Sequence, residues 1–174
     1  MQLYRLIKAK HWSGRLEPGV SDMARWHSDG RSVIYCATSP PLALLEWIKG
    51  QYAARLLDRE VRNAALTLIA FDPPLEMDHV FAPGADALPD MWWALPNRRS
   101  VATQKIGNAW LDAQTHVAMR VPSATLPESL PADARANLLI NPAHPDWPKL
   151  QAALTFQEHP FNLRHYLGMA PPKG

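Results

Sequence analysis

A strand that leads directly into a helix constrains the fold of this chain more than any other local pattern. The segment "SVIYCAT", residues 32–38, is rich in β-branched and aromatic side chains and contains no glycine or proline, so it predicts a strand. Side chains alternate along a strand. Tyr35 therefore shares one face with Val33 and Ala37, and Cys36 lies on the opposite face.

The helix is predicted by the next segment, "SPPLALLEWIKGQY". Ser39 can accept hydrogen bonds from the first backbone N–H groups of a helix, and Pro40 suits the first turn because its missing N–H has no partner there. Leu44, Ile48 and Tyr52 follow one another at intervals of four residues and predict an apolar stripe along one side of this helix.

Glu46 lies on the same predicted helix but off the apolar stripe. Most helical glutamates are solvated, so water is the ordinary environment for its carboxylate. Two of its neighbours at helical spacing, Ala43 and Gly50, are small. Glu46 therefore either points to water or faces a cavity, and both alternatives stay open at this point.

Short strands and a few helices account for most of the remaining chain, which predicts an α+β or mixed α/β fold. Proline-rich segments such as "NPAHPDWPK" predict loops, and none is long and polar enough to be a domain linker, so residues 1–174 are expected to form a single domain. Strands are predicted at residues 2–7 and 64–72, in "HVAMRVPS" up to Pro122, in "ANLLINP" and, as an edge strand, in "FNLRHYLG"; a helix is predicted at about residues 100–114, and a loop from Gly14 to Gly30.

The composition argues against several classes of protein. The 174 residues are 47% hydrophobic and 20% charged, which is typical of a folded globular protein. A net charge of +2 without a basic tract gives little support for direct nucleic-acid binding. No apolar run is long enough to predict a membrane span. The N-terminus lacks the apolar core of a signal peptide, and a single cysteine excludes an internal disulfide, so a reducing cytoplasm is the expected location.

Standard catalytic motifs are missing from the sequence. It contains no GxGxxG, GxxxxGK[ST], HExxH or GxSxG pattern. The seven histidines lack the spacing of metal ligands, so no metal site is predicted. Cys36 has no CxxC partner and is expected to be a small core residue rather than a nucleophile.

Several polar residues instead lie next to apolar strands, and each has an ordinary structural interpretation. Arg25 fits a surface cation and Tyr35 a core aromatic residue. Ser123 and Asn141 fit turn formers, because each lies beside a proline. Taken singly, these residues favour the structural interpretation over a functional one.

Together they form a pattern that resembles the RES domain family, which is named for an arginine, a glutamate and a serine. The resemblance is carried, in family order, by "RWHSDGRSVIYCATSPPLALLE", "QKIGNAWL", "MRVPSAT" and "NLLINPAHPDW". It covers nearly the whole chain, from "LYRL" to the region of Trp147. The three name-giving residues match Arg25, Glu46 and Ser123. His27 departs from the pattern, because the family often has asparagine after the Arg-Trp pair.

The resemblance implies an α+β fold similar to ADP-ribosyltransferases, with a split, strongly twisted β core, flanking helices and a cleft for NAD. It also implies the toxin of a bacterial toxin–antitoxin pair, which depletes NAD by hydrolysis or phosphorolysis of the nicotinamide–ribose bond. NAD is then a substrate, with inorganic phosphate as a co-substrate of phosphorolysis and no separate cofactor. The implied partner is a helix-turn-helix antitoxin of the Xre kind, and a homodimer within the toxin–antitoxin complex is compatible with this assignment.

Through this resemblance, Arg25, Glu46 and Ser123 are the expected catalytic residues. Arg25 offers a planar fork of donors that suits phosphate or ribose oxygens. Breaking the glycosidic bond builds positive charge on the ribose. Glu46 could stabilise that charge, hold the ribose hydroxyls or orient the acceptor. Ser123 could donate a hydrogen bond to the nicotinamide amide or the ribose.

The expected substrate-binding residues are Trp26, His27, Tyr35 and Asn141. Tyr35 offers a ring face to the flat, cationic nicotinamide. Asn141 matches the asparagine of the family's "NP" block and could support Ser123.

Two other functions remain open from the sequence. The first is an enzyme that uses the same residues to transfer ADP-ribose to a protein or nucleic acid. The second is a non-catalytic binding module that has kept the fold.

Overall fold

The structure, a computed structural model, describes residues 1–19, 24–53, 65–93 and 100–163. Three α-helices and seven strands lie within these ranges. The helices are α1 (Pro40–Ala53), α2 (Val101–Ala113) and α3 (Trp147–Ala152). The strands are β1 (Leu3–Lys8), β2 (Ile34–Ala37), β3 (Ala65–Phe71), β4 (Val80–Phe81), β5 (Ala118–Pro122), β6 (Ala136–Ile140) and β7 (Phe156–Asn162).

The seven strands form one mixed sheet in the order β4-β5-β6-β2-β1-β3-β7. The pairing of β4 with β5 is parallel, and the other five pairings are antiparallel. Strands and helices therefore combine in an α+β architecture, as predicted.

The sheet is split between β1 and β2. These two strands share one register pair, Tyr4 with Ala37, whereas β1 pairs with β3 continuously from Leu3 opposite Phe71 to Lys8 opposite Leu66. Two halves, β7-β3-β1 and β2-β6-β5-β4, thus meet at a narrow junction. This arrangement confirms the split β core that the family resemblance implied.

Helices pack on both faces of the sheet. The alternation of side chains along β2, as predicted from the sequence, determines which residues pack on each face. Ile34 and Cys36 of β2 pack on the face that also receives Trp147 of α3. Val33 packs on the opposite face, in a cluster with Trp110 of α2. Each fully buried large apolar side chain contributes on the order of 1.5–3 kcal/mol to folding.

Helix α1 begins as predicted, since the Ser39 hydroxyl accepts a hydrogen bond from the Leu42 backbone N–H at 3.4 Å. The predicted apolar stripe is wrong. Leu42 and Ala43 are buried against the sheet, whereas Leu44 and Ile48 are only half-buried. The side chain of Tyr52, the third predicted stripe residue, lies outside the described part of the structure.

The buried face of α1 also determines the direction of Glu46. A residue four positions after Leu42 lies one helical turn further along the same face. Glu46 therefore lies on the sheet side of the helix and is half-buried. The small side chain of Ala43 lets the helix approach the sheet closely.

Most other predicted elements agree with the structure within a residue or two. The segment "NPAHPDWPK", however, contains the start of α3, because a proline in the first turn is compatible with a helix. The last strand, β7, is indeed at a sheet edge, but it covers Phe156–Asn162. The part of "FNLRHYLG" beyond residue 163 lies outside the described residues.

A long apolar helix of the kind that crosses a membrane does not occur in the part of the chain that the structure describes.

Candidate active site

A cavity of about 320 Å³ opens beside the split between β1 and β2, on the sheet face that carries α1. Its volume is within the range of roughly 300–1,000 Å³ that is typical of ligand pockets. Walls come from both strands, from β6, from α1 and from residues 24–27. The ionisable or polar residues of the lining include Arg5, Arg25, His27, Tyr35, Glu46, Lys49 and Asn137.

Glu46 is anchored in the cavity wall through one carboxylate oxygen. Its Oε1 accepts hydrogen bonds from Ser123 Oγ at 2.6 Å and from Asn137 Nδ2 at 2.7 Å, with a longer contact to Thr125 Oγ1 at 3.4 Å. Among the described residues, every hydrogen bond to this carboxylate ends on Oε1. Oε2 is therefore left for a ligand.

Ser123 lies beneath Glu46 and is 2% exposed. It follows the last residue of β5 directly, and its backbone N–H donates to the Arg135 carbonyl at 2.6 Å. Its hydroxyl also accepts a hydrogen bond from the Thr125 backbone N–H at 3.0 Å. The backbone of this turn therefore fixes the hydroxyl, and Ser123 acts on the cavity through Glu46.

Arg25 is 7% exposed, and its guanidinium bridges parts of the chain that are far apart in sequence. Nη1 donates to the Trp92 carbonyl and, at 3.1 Å, to Ser100 Oγ. Nη2 donates to the Trp93 carbonyl at 3.4 Å, and the guanidinium carbon lies 5.7 Å from the centre of the Trp92 ring. Burial lowers the pKa of Arg25, and the nearby Glu46 carboxylate opposes that shift.

Helix α2 holds the segment that carries Arg25. Gln104 Nε2 donates to the Ala24 carbonyl and Thr103 Oγ1 to the Arg25 carbonyl, both at 2.8 Å. Asn108 Nδ2 donates to Ser28 Oγ at 2.5 Å. Gln104 and Asn108 belong to the "QKIGNAWL" block of the sequence, and Thr103 directly precedes it. These hydrogen bonds hold the block beside the segment that carries Arg25.

Gly107 permits this close approach of α2. A Cβ atom at position 107 would lie 1.7 Å from the Trp26 carbonyl oxygen, which is shorter than any non-bonded contact allows. A glycine is therefore required here for the backbone of residue 26 to pack against the helix.

Tyr35 and His27 form an aromatic part of the cavity wall, with ring centres 5.8 Å apart. The Tyr35 hydroxyl is buried near the Trp26 backbone without a hydrogen bond of ordinary geometry, and burial raises its pKa. His27 is 1% exposed, its Nδ1 is 3.0 Å from the Ser28 carbonyl, and burial lowers its pKa. Both side chains are therefore neutral near pH 7.

Cations outnumber carboxylates on the described lining of the cavity. Arg25 and Lys49 contribute two positive groups, against the single carboxylate of Glu46. Arg5 also borders the cavity, but its Nη1 donates to the Glu17 carbonyl at 2.6 Å. Burial lowers the pKa of Lys49, whereas the Glu46 carboxylate raises it. A site with this balance favours a ligand that carries more than one negative charge.

Most of the predicted site residues come together in this cavity. Arg25, Trp26, His27, Tyr35 and Glu46 all contribute to its lining. The Trp26 ring is also part of the core, where it contacts the Trp92 ring at 5.6 Å between centres.

Asn141 is not brought together with them. Its side-chain Oδ1 accepts a hydrogen bond from the Ala143 backbone N–H at 3.0 Å, and its backbone N–H donates to the Val117 carbonyl at 2.9 Å. Four residues along a strand separate it by about 13 Å from Asn137, which lines the cavity. Asn141 thus forms the turn that follows β6.

Sequence reasoning missed three polar residues of the lining, namely Arg5, Lys49 and Asn137. Two signals could have found the last two of these residues. Lys49 follows Glu46 by one helical turn, and Asn137 interrupts the apolar run "ANLLI" at a position that shares the face of Tyr35.

Two further predictions concern the chemistry of the site. Cys36 is buried in the core, and burial raises its pKa to about 12, so the thiol is a core group rather than a nucleophile. Within the described ranges, no three His, Cys, Asp or Glu side chains cluster in a way that could hold a metal ion.

Similar proteins are known for nearly the whole chain. A protein named Toxin Res from Pseudomonas putida is 34% identical over 145 residues, which cover 83% of this chain and 87% of the relative. Another Toxin Res, from Photorhabdus laumondii, is 32% identical and covers 86% of both chains. A protein named Prs ADP-ribosylating toxin, from a Sphingobium species, is 33% identical over 70% of this chain and 68% of its own length.

The fold has a counterpart among solved structures. A chain in the crystal structure of the M. tuberculosis MbcT–MbcA toxin–antitoxin complex superposes with a TM-score of 0.64 at 18% identity, over 97% of this chain and 87% of that chain. At this identity the likeness concerns the fold alone. Residues 2–163 match the RES domain, and together with the identity to the Toxin Res proteins this shows that the chain belongs to the RES domain family.

Proposed function

We propose that this protein is the toxin of a bacterial toxin–antitoxin pair and that it depletes cytoplasmic NAD by cleaving the nicotinamide–ribose bond. The observation that carries the proposal is the carboxylate of Glu46 on the cavity wall, with Oε1 held by Ser123 and Asn137. A fixed negative group of this kind can stabilise a developing cation without reorganising during the reaction.

The chemistry of the reaction requires such a group. When the glycosidic bond breaks, its electron pair moves to the ring nitrogen and nicotinamide leaves as a neutral molecule. The ribose carbon becomes electron-poor and resembles an oxocarbenium ion. Glu46 stabilises this charge, and water or inorganic phosphate forms the new bond to the ribose carbon. No covalent bond to the protein is needed.

The rest of the cavity lining suits the phosphates and the nicotinamide ring of NAD. Arg25 and Lys49 give the lining a positive balance that matches the two phosphates. The neutral aromatic side chains of Tyr35 and His27 offer flat surfaces for the cationic nicotinamide ring.

An antitoxin partner is supported by the relatives. Two of them are named Toxin Res, and the similar solved fold comes from a toxin–antitoxin complex. The helix-turn-helix type of this antitoxin, of the Xre kind, and a homodimer within the complex are predictions from the family resemblance.

A second candidate is transfer of ADP-ribose to a macromolecule, which the name of the Sphingobium relative favours. The same residues would serve, because the bond that breaks is the same and only the acceptor differs. NAD labelled on its adenine end separates the two. Label that stays with protein or nucleic acid indicates transfer, and label in free ADP-ribose or its phosphate indicates NAD destruction.

Expression in bacteria tests the proposal. The wild-type chain alone should stop growth and lower cellular NAD, and the Glu46→Gln variant at the same soluble level should do neither. Growth of the wild type with a normal NAD pool, at confirmed expression of folded protein, would contradict the proposal and would favour a non-catalytic binding module.

A further inference from the structure

Trp47 follows Glu46 directly on α1 and lines the same cavity. Adjacent residues of an α-helix point about 100° apart. Glu46 reaches toward β6, where its carboxylate accepts a hydrogen bond from Asn137. Trp47 instead packs against a buried cluster to which Leu6 of β1 and Leu66 of β3 belong. Helix α1 therefore spans the split in the sheet, with the carboxylate on the β6 side and the indole on the β1 side.

The indole ring of Trp47 is half-buried and lacks the specific contacts that other tryptophans of this chain make. Trp12 packs edge-on against the Phe156 ring, and Trp110 donates its Nε1–H to the His116 carbonyl at 2.9 Å. Within the part of the chain that the structure describes, Trp47 has neither an aromatic partner nor a hydrogen bond. Part of its ring is therefore available to a ligand in the cavity.

Tyr4 adds a second aromatic side chain to this part of the lining. It lies on β1 opposite Ala37 of β2, is half-buried, and packs against the same cluster as Trp47. Tyr35 precedes Ala37 by two residues and therefore lies about 7 Å further along β2. The lining thus carries two separate aromatic surfaces, one at Tyr35 and His27 and one at Trp47 and Tyr4.

The proposed substrate has two flat rings to place. With nicotinamide at Tyr35 and the reacting ribose at Glu46, the diphosphate and the adenosine must continue past Glu46. Lys49 follows Glu46 by one helical turn and offers a cation for the diphosphate. The second aromatic surface, on the β1 side of the split, then remains for the adenine. Bases stack on aromatic side chains because every base has a π face.

We propose that the indole ring of Trp47 stacks against the adenine of NAD and thereby makes the enzyme prefer the dinucleotide over a mononucleotide that carries the same scissile bond. This proposal rests on the proposed function. It adds a specificity-determining residue that the family's name-giving triad does not include.

Nicotinamide mononucleotide tests this role, because it contains the nicotinamide–ribose bond but no adenine. The test measures kcat/KM of wild type and Trp47→Leu for NAD and for the mononucleotide. The quantity of interest is the ratio of NAD to mononucleotide in wild type, divided by the same ratio in the variant. Effects of the substitution on the reacting end are common to both substrates and cancel in this quotient. We expect a quotient of about tenfold or more, which corresponds to about 1.4 kcal/mol and is within the range of base–aromatic stacking.

Two further variants separate stacking from a purely structural role. Trp47→Phe keeps an aromatic face, so its quotient should lie close to one. Phe161→Leu is the matched control, because Phe161 packs against the same cluster as Trp47 but does not line the cavity. Its quotient should stay near one even if its stability falls. Trp47→Met replaces Trp47→Leu if the leucine variant does not fold, with circular dichroism as the check for all variants.

A quotient near one for folded Trp47→Leu would overturn the proposal, as would a wild type that cleaves the mononucleotide as efficiently as NAD. If the mononucleotide is cleaved too slowly to measure, the inhibition constant of ADP-ribose for NAD cleavage takes its place. That constant should rise about tenfold in Trp47→Leu and stay unchanged in Phe161→Leu, and an unchanged value in Trp47→Leu would again overturn the proposal.

The same assays separate this proposal from the proposed function. Turnover of NAD by the wild type leaves the proposed function standing, whatever the quotient. A folded wild type that does not consume NAD would contradict the proposed function itself.

Discussion

Ser123 and Glu46 are 77 residues apart in the sequence and are joined by a hydrogen bond of 2.6 Å from Oγ to Oε1. Ser123→Ala should therefore lower the rate of NAD cleavage, because Glu46 loses a donor that fixes its direction. A hydrogen bond to a charged group contributes roughly 1.5–3 kcal/mol, so kcat should fall about ten- to a hundredfold. Steady-state kinetics measure this change.

Thr125→Val is the control for that experiment. The Thr125 hydroxyl lies 3.4 Å from the same carboxylate oxygen and 2.5 Å from Ser123 Oγ. Valine keeps the backbone N–H that donates to Ser123 Oγ and leaves the Ser123–Glu46 hydrogen bond in place, so this variant should have a smaller effect. A Ser123→Ala enzyme with the wild-type rate would mean that the contact does not position Glu46 for catalysis.

Gly107→Ala should destabilise the protein, because the added Cβ would overlap the Trp26 carbonyl oxygen. Forcing an atom into a packed site costs about 1–3 kcal/mol or more, and the displaced segment carries Arg25. Thermal unfolding should show a lowered Tm together with reduced turnover. Gly50→Ala is the matched helical control, since its Cβ would meet open space; it should raise stability by about 0.5–1 kcal/mol. Equal melting of wild type and Gly107→Ala would refute this packing.

Arg25→Lys should impair the enzyme although it preserves the charge. The guanidinium contacts the Trp92 and Trp93 carbonyls and Ser100, and an ammonium group cannot reproduce this planar arrangement. We expect kcat/KM for NAD to fall roughly ten- to a hundredfold, with a lowered Tm.

Arg15→Lys serves as the comparison for that substitution. Among the described residues, Arg15 makes a single contact, from Nε to Glu17 Oε1 at 2.9 Å, at an exposed position, and exposed ion pairs contribute little. This variant should be nearly silent. An Arg25→Lys protein with wild-type turnover would remove Arg25 from the site.

Acid should destabilise the folded protein partly through His27. Burial lowers the pKa of this imidazole below its ordinary value of 6.5. As the pH falls through that value, the unfolded chain binds a proton before the folded protein does, so the free energy of unfolding decreases. The neutral His27 side chain therefore contributes fully to stability above pH 6.5. This contribution to the free energy of unfolding is lost as the pH falls through the lower pKa of the folded protein.

Urea unfolding between about pH 7.5 and 5 measures this effect, over the range in which an ordinary histidine titrates. His27→Asn should lose less stability on acidification than the wild type. His11→Asn removes an exposed imidazole and should follow the wild-type slope. Parallel slopes for wild type and His27→Asn would show that His27 does not couple protonation to unfolding.

Elements of the fold were predicted well where neighbouring residues alone determine the structure. The alternation in "SVIYCAT" correctly separated Val33 from Ile34 and Cys36, because a strand has only two faces. The apolar stripe of α1 was wrong because the sheet, and not the helix alone, decides which side is buried. Leu42 and Ala43 belong to one buried cluster with Leu6 of β1 and Leu66 of β3, which are distant in the sequence.

The candidate site was predictable only in part for a similar physical reason. The resemblance indicated Arg25 and Glu46, which the structure brings to one cavity. Asn137 and Lys49 were missed because their role depends on which strands and helices meet at the split in the sheet. No spacing in the sequence reports that Asn137 donates to a glutamate 91 residues away.

The most direct test of the central claim is to incubate the purified protein with NAD, with and without inorganic phosphate, and to identify the products by mass spectrometry. We predict free nicotinamide together with ADP-ribose or a phosphorylated ADP-ribose. Glu46→Gln keeps an oxygen that can accept from Ser123 and Asn137, so it should fold normally and release nicotinamide at least ~10²-fold more slowly. Intact NAD after incubation with folded wild-type protein, or equal rates for the two proteins, would contradict the account.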